Sequence, residues 1–147
     1  MTYRVLHSRD AHWRPSNQMK VENTDLAKQL EAETLGARLW RLRPGQASTK
    51  HRHFDQHELY VLLEGTGRIR VDDELFTLDP HSAVFVEPEH VRQLFNDTDG
   101  DVLWLIVGAP REGVSSTLEM TGEQLAELYP DGPRALPAEL GGGELAG

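Results

Sequence analysis

The chain contains no cysteine. Disulfides, thiolate nucleophiles and thiolate metal sites are therefore excluded, and any bound metal must be held through nitrogen and oxygen. It has no apolar run approaching the roughly 20 residues that cross a bilayer, so no membrane association is expected. The opening residues Met1-Thr2-Tyr3-Arg4-Val5-Leu6-His7 lack an apolar signal core, and a cytoplasmic address is the expectation. Positive charge is in deficit: 15 Lys and Arg stand against 24 Asp and Glu, a formal net charge of −9. A surface of that sign repels phosphate backbones, so nucleic acid is not an expected partner. The densest basic run, Arg38, Arg41 and Arg43, falls on one strand-like segment and reads as a solvated strand face. What remains is ordinary for a globular protein. At 147 residues, 38% hydrophobic and 27% charged, the chain fits one domain with a buried core.

The chain divides into three parts. Residues 1–34 are polar and irregular, with Asp25, or alternatively Thr24, placed to cap a short helix through Leu26, Ala27 and Leu30. Residues 35–110 carry strand patterns at Ala37–Leu42, Glu58–Leu63, Gly67–Val71, Glu74–Leu78, Ala83–Val86, Arg92–Asn96 and Val102–Val107. Pro44-Gly45, Asp72-Asp73, Asp79-Pro80 and Asp99-Gly100 punctuate them. Many short strands at short spacing predict an all-β sandwich or barrel. Residues 111–147 hold one short amphipathic helix, capped by Thr121 and ending before Pro130, followed by a tail expected to be loose.

Three of the seven histidines fall at positions 51, 53 and 57, and Glu58 follows at once. Imidazole and carboxylate are the donors a divalent metal takes when thiolates are absent. In extended chain, residues two apart share a side, so His51 and His53 aim at one point. Glu58 has the opposite parity and joins them only if the chain turns between Phe54 and His57. Beyond such a turn Glu58, Tyr60 and Leu62 share one face. The spacing allows two donor sets: His51, His53 and Glu58, or three histidines with Glu58 outside.

These residues carry a family resemblance. Gly45, His51, His53, Glu58 and Gly65, at their intervals, resemble the complete first motif of the cupin family. The segment Leu78 to Asn96 resembles the second motif in eroded form. It keeps Asn96 and the apolar stretch Ala83–Val86. It has His81 and Glu89 in place of glycines, Glu87 where proline is usual, and Arg92 in place of the last ligand histidine. The resemblance covers about Leu35 to Ala109. It implies a jelly-roll-like, double-stranded β-helix barrel with short peripheral helices, commonly a homodimer, for which the N-terminal extension could serve as the arm. It also implies a metal held by His51, His53 and Glu58, with Tyr60 lining the pocket.

Arg92 complicates that site, because guanidinium stays protonated and has no lone pair to offer a metal. At about 5 Å from a divalent ion and an effective dielectric of about 20, its repulsion is roughly 7 kcal/mol before screening. Two arrangements avoid this. In one, the three ligands hold the metal with open positions, and Arg92 grips the carboxylate or phosphate of a bound molecule. In the other there is no metal, and Arg92 pairs with Glu58. His57, His90 and Gln93 are further possible ligands, although Gln93 has the wrong parity and His90 depends on its loop.

Elsewhere the plain readings hold. His7, His12 and His81 read as surface or satisfied core residues, as does His57 unless it is a ligand. Trp13, Trp40 and Trp104 read as packing. Phe85, Phe95, Leu103, Leu105 and Ile106 read as core. Gly45 and Gly65 mark turns that only glycine enters cheaply. The expectation is a metal-binding protein, with iron, zinc, nickel or manganese as cofactor, acting on a small anionic metabolite. Its reaction class and catalytic residues are left open. The rival is a non-catalytic module whose metal-free pocket binds a small ligand.

Overall fold

A computed structural model describes residues 2–112 and 117–146. Among the described residues nine strands run in chain order: β1 (Arg14–Pro15), β2 (Glu22–Asp25), β3 (Gly36–Leu42), β4 (His57–Glu64), β5 (Gly67–Val71), β6 (Glu74–Leu78), β7 (Ala83–Val86), β8 (Arg92–Phe95) and β9 (Val102–Ala109). Two short helices, α1 (Leu26–Gln29) and α2 (Gly122–Leu128), lie outside this set. All the strands foreseen between Leu35 and Ala109 are present within about two residues. β1 and β2 are additions, formed in the region read as irregular. They hold because Asn23 and Thr24 on β2 are buried against β3, despite their polarity.

The strands form two antiparallel sheets. The larger has the order β1-β2-β3-β9-β4-β7 and the smaller β6-β5-β8. The segment before β4 extends the smaller sheet along the free edge of β8, through bridges Ala47–Phe95 and His51–Arg92. Along β4 burial alternates as period-two geometry demands: His57 and Leu59 are exposed, while Glu58, Tyr60 and Leu62 are buried. The core between the sheets contains Leu42, Tyr60, Leu62, Val86, Val102 and Trp104 from one side and Ile69 and Leu94 from the other, while Phe95 is buried on the outer face of β8 under Arg68 and Arg70. Leu42 and Leu62 are fully enclosed. Each such leucine contributes about 1.5–3 kcal/mol relative to exposure.

Local chemistry explains the punctuation. Asp25 caps α1 by accepting from the Lys28 N–H at 2.9 Å. Thr121 and Gln124 form a reciprocal capping box at the start of α2. Gly65 has φ +82°, and a Cβ there would meet the Asp101 carbonyl oxygen at 2.6 Å. Asn96 is fully buried and closes the turn between β8 and β9, donating to the carbonyls of Leu42 (3.0 Å) and Gly100 (2.8 Å). His81 adopts φ +74°, a conformation glycine enters freely and histidine only with strain. The backbone thus retains the turn that the resembled motif builds with glycine.

Three expectations need correction. Phe85 is 61% exposed rather than core, because it lies on the outer face of β7. Arg38 does not belong to a solvated face. It points with Trp40 into a pocket, while Arg41 turns the other way toward Glu64 and Asp101 and Arg43 is exposed. The tail is not loose either. Leu136, Leu140 and Leu145 pack on the core, Ala135 bridges to Glu144, and Glu139 makes a two-pronged ion pair with Arg70 at 2.9 and 2.7 Å. This segment covers the outer face of β8, which explains why all four β8 residues are buried. Among the described residues, no helix is long and apolar enough to cross a membrane.

Candidate metal centre

Strand pairing aims the donors. His51 exchanges backbone hydrogen bonds with Arg92 across the edge of β8, at 3.0 and 2.8 Å. Directly opposed residues share a face, so both side chains enter the barrel. His53 keeps that parity, and its N–H donates to the Pro88 carbonyl at 2.9 Å. The chain then turns. The N–H groups of Phe54, Asp55 and Gln56 all donate to one oxygen, Glu112 Oε1, at 2.8, 3.0 and 3.1 Å. That turn resets the parity, and Glu58 enters on the inner face of β4.

His51, His53 and Glu58 each bring one donor atom to within 4.8 Å of the others. His51 Nε2 lies 3.2 Å from His53 Nε2, His53 Nε2 lies 2.9 Å from Glu58 Oε1, and His51 Nε2 lies 3.9 Å from that same oxygen. A point equidistant from these three atoms lies about 2.0 Å from each, close to ordinary metal–nitrogen and metal–oxygen lengths. Each histidine is also held at its far nitrogen. His51 Nδ1 is 3.0 Å from the Thr49 carbonyl oxygen, and His53 Nδ1 is 3.0 Å from Glu112 Oε2. Such partners fix the tautomer and turn the Nε2 lone pair toward the shared point. The donor set therefore fits a divalent ion.

Without an ion, a proton holds the place. Burial and the neighbouring His53 charge depress His51 to about 4. Burial also opposes charge on His53, but hydrogen bonds to Glu112 and Glu58 outweigh it and raise His53 to about 9. Glu58 is held down to about 2, because its bond to His53 and the nearby positive charges overcome the burial that would raise it. Glu112 is likewise held near 2, against burial, by His53 and the amides of the turn. At neutral pH His51 is neutral and His53 is an imidazolium lying between two carboxylates.

Arg92 stands beside His51 on the same face of the smaller sheet. Its side chain is 1% exposed, and Nη1 donates to Glu58 Oε1 at 2.7 Å. Nη2 donates to the Glu87 carbonyl at 2.7 Å and Nε to the His90 carbonyl at 2.9 Å. The guanidinium does not line the pocket that His51, His53, Glu58 and Tyr60 share. Tyr60 lines that pocket, with its hydroxyl donating to Glu58 Oε1 at 2.7 Å. The three additional ligand candidates lie elsewhere. His57 is on the outer face of β4, stacked on Phe85. His90 sits in an exposed loop, 2.7 Å from Asp72. Gln93 points outward, donating to the carbonyls of Ser48 and Ala135. Strand parity keeps His57 and Gln93 out of the barrel, and no bulge intervenes at either.

The sequence reading missed Glu112. It lies beyond the motifs, in the segment after β9, and no local pattern marks it. Only the fold returns that segment to the turn between His53 and His57. The end of α2 does the same for Arg52, whose N–H donates to the Leu128 carbonyl at 2.9 Å and whose Nε donates to the Glu127 carbonyl at 2.7 Å.

A family model described as a cupin domain matches residues 38–108, the stretch from β3 to β9 that forms the barrel. Comparison with curated protein sequences yields no match. Among solved structures, a sugar phosphate isomerase of the cupin superfamily from Silicibacter pomeroyi is similar, with 21% identity, a TM-score of 0.67, and 74% of this chain and 76% of that one covered. A predicted oxalate decarboxylase from Thermotoga maritima is similar at 20% identity and a TM-score of 0.65, covering 74% of this chain and 100% of that one. KdgF from Halomonas sp. is similar at 16% identity and a TM-score of 0.66, covering 76% and 97%. At these identities the likeness speaks for the fold. The matched model, the motif residues and the barrel agree, and residues 38–108 form a cupin domain.

Proposed function

We propose that this cupin binds a divalent transition metal through His51 Nε2, His53 Nε2 and Glu58 Oε1 and acts on a small anionic metabolite. The observation that carries this reading is the donor triangle, in which both histidines are restrained at Nδ1 and present Nε2 to one point. Two histidines and one carboxylate suit iron, zinc, nickel or manganese. A bound ion would supply Lewis-acid polarisation of an oxygen on the metabolite.

The chain's own residues define the rest. Glu112 holds both His53 and the turn that carries it. Tyr60 and Arg92 fix the rotamer of Glu58 by donating to the oxygen that faces the histidines. In the metal-free site the charges of protonated His53, Arg92, Glu58 and Glu112 sum to zero. Exchanging the His53 proton for a divalent ion leaves the cluster with one excess positive charge, which favours an anion in front of it. The pocket there is about 460 Å³, within the range of small-molecule sites. Two similar proteins carry small anions in their names, a sugar phosphate and oxalate. Isomerase, decarboxylase and oxygenase chemistry all suit this donor set.

A second reading has its own observation. The Arg92–Glu58 pair at 2.7 Å satisfies the carboxylate without a metal, which supports a binding pocket free of metal chemistry. Metal analysis of the purified protein, beside a His51→Ala/His53→Ala variant, separates the two. Near-stoichiometric metal that disappears in the variant is the expected result. Metal-free protein after anaerobic incubation with iron, manganese, nickel and zinc would leave only the second reading.

A further inference from the structure

We infer that the wall of the pocket away from the histidines is a binding site for the phosphate group of the ligand, built on Arg38 with Arg14 and Arg111. The first observation is where positive charge gathers. The protein has a net charge of −9 and 15 Lys and Arg, yet five of these, Arg14, Lys28, Arg38, Arg52 and Arg111, line this one pocket. Four acids line it too among the described residues: Asp25, Glu58, Glu112 and Glu119. Glu58 and Glu112 are matched by Arg92 and His53, which leaves a surplus of three positive charges among the other residues of the pocket, two of them without counting Arg52 beside the histidines. Such a concentration of one sign in a walled cleft raises the local concentration of the opposite sign.

The second observation is how Arg38 is held. It projects from the inner face of β3, with Nη1 donating to Asn23 Oδ1 at 2.9 Å and Nη2 lying 3.0 Å from Asp25 Oδ2. Asn23 is fully buried, and its own amide donates to the Arg14 and Val21 carbonyls. Asp25 is fixed as the cap of α1. The guanidinium is therefore oriented by rigid partners that engage two of its five N–H groups. Its side chain remains 35% exposed toward the pocket. Arg14 stands opposite Asn23 on β1, and Arg111 follows β9, tied to the Ala32 carbonyl at 3.1 Å. Burial and the Arg14 and Arg111 charges lower the Arg38 pKa against the pull of Asp25, so an arriving anion relieves a real repulsion.

Arg38, Arg14, Arg111 and Asp25 together carry two net positive charges, the match for a dianion. A preset guanidinium fork fits phosphate oxygens in pairs. The ligand class is a small phosphate ester whose other end presents oxygen to the triad. This deepens the proposed function only in the second half of that statement, since the arginine site does not need the metal.

Calorimetry with inorganic phosphate on chelator-treated protein tests the site alone. Saturable binding is expected, weakened at least tenfold in Arg38→Gln and severalfold in Arg111→Gln, and unchanged in His51→Ala. Arg111→Gln guards against loss of fold, because its bond runs to a single exposed carbonyl. Phosphate binding that neither arginine variant weakens, or no binding, would overturn the inference. Malonate binding more tightly than phosphate with the same arginine dependence would overturn the phosphate assignment. Metal binding lost in His51→Ala, with phosphate binding retained, keeps failure of the metal reading distinct from failure of this one.

Discussion

Two neighbouring extended segments reach Glu58 and treat it differently. The segment carrying His51 and His53 offers it donors with lone pairs, each oriented from behind. β8, one hydrogen-bonded step away through the His51–Arg92 bridge, offers a permanent cation at 2.7 Å. The backbone framework is the same on both sides, and the chemistry is opposite. One stretch of wall carries donors that fit a positive ion, and the stretch beside it already carries a cation. The shared carboxylate is the point where the two meet. A barrel of this kind therefore fixes where a side chain points without fixing what it does, and a single replacement at β8 changes the charge of the whole site.

The largest effect should come from removing the shared carboxylate. Glu58→Gln leaves Arg92 buried at 1% exposure and His53 without one of its two carboxylates. Breaking a buried pair in this way costs about 3–5 kcal/mol. Urea denaturation should show a loss of that order, together with loss of any metal bound by the wild type. A loss under about 1 kcal/mol would mean that Arg92 finds water or another acceptor and that the two walls are not coupled through Glu58.

Converting one wall into the other is the next test. Arg92→His removes the permanent charge and places a possible fourth ligand on β8. Metal affinity should rise at least tenfold, about 1.4 kcal/mol. The metal-free protein should become less stable by about 1–3 kcal/mol, because the Glu87 and His90 carbonyls lose their donors. A metal titration followed by thermal melting reads both changes. Unchanged affinity in a folded variant would show that Arg92 exerts no repulsion on the ion.

The legibility of the site follows the same division. His51, His53, Glu58 and Tyr60 could be placed from parity and motif, because strands have an invariant period of two and the turn at Phe54 was the one variable. The seven barrel strands were legible for the same reason. Arg92 could be placed on the inner face, and its pairing with Glu58 was one of the two arrangements the sequence allowed, but the Glu87 and His90 carbonyls join it only through the folded loop. Glu112 and Arg38 were out of reach for a different reason. One lies in an irregular segment and the other in a basic run that looks solvated, and each gains its role from contacts across 58 or 15 residues of sequence. The packed tail was misread because Leu136, Leu140 and Leu145 are too widely spaced to show a periodic face. They pack because Ala135–Glu144 pairing folds the segment back on itself.

The gentlest test of the contrast is pH. On the histidine wall the occupant at neutral pH is a proton, since His53 is raised to about 9 and His51 lowered to about 4. A metal must displace the His53 proton. A group whose pKa lies above the working pH holds its proton more firmly as pH falls. Apparent metal affinity should therefore drop about tenfold, or 1.4 kcal/mol, for each unit of pH lowered between about pH 8.5 and 5.5. Competition against a metal-sensitive dye, with buffer ionisation corrected, gives the slope. A slope near one means that a single proton leaves, from the nitrogen shared with Glu58. A slope of zero would mean that His53 is already neutral before the ion arrives, and the two carboxylates would then have to be holding their charge against Arg92 alone.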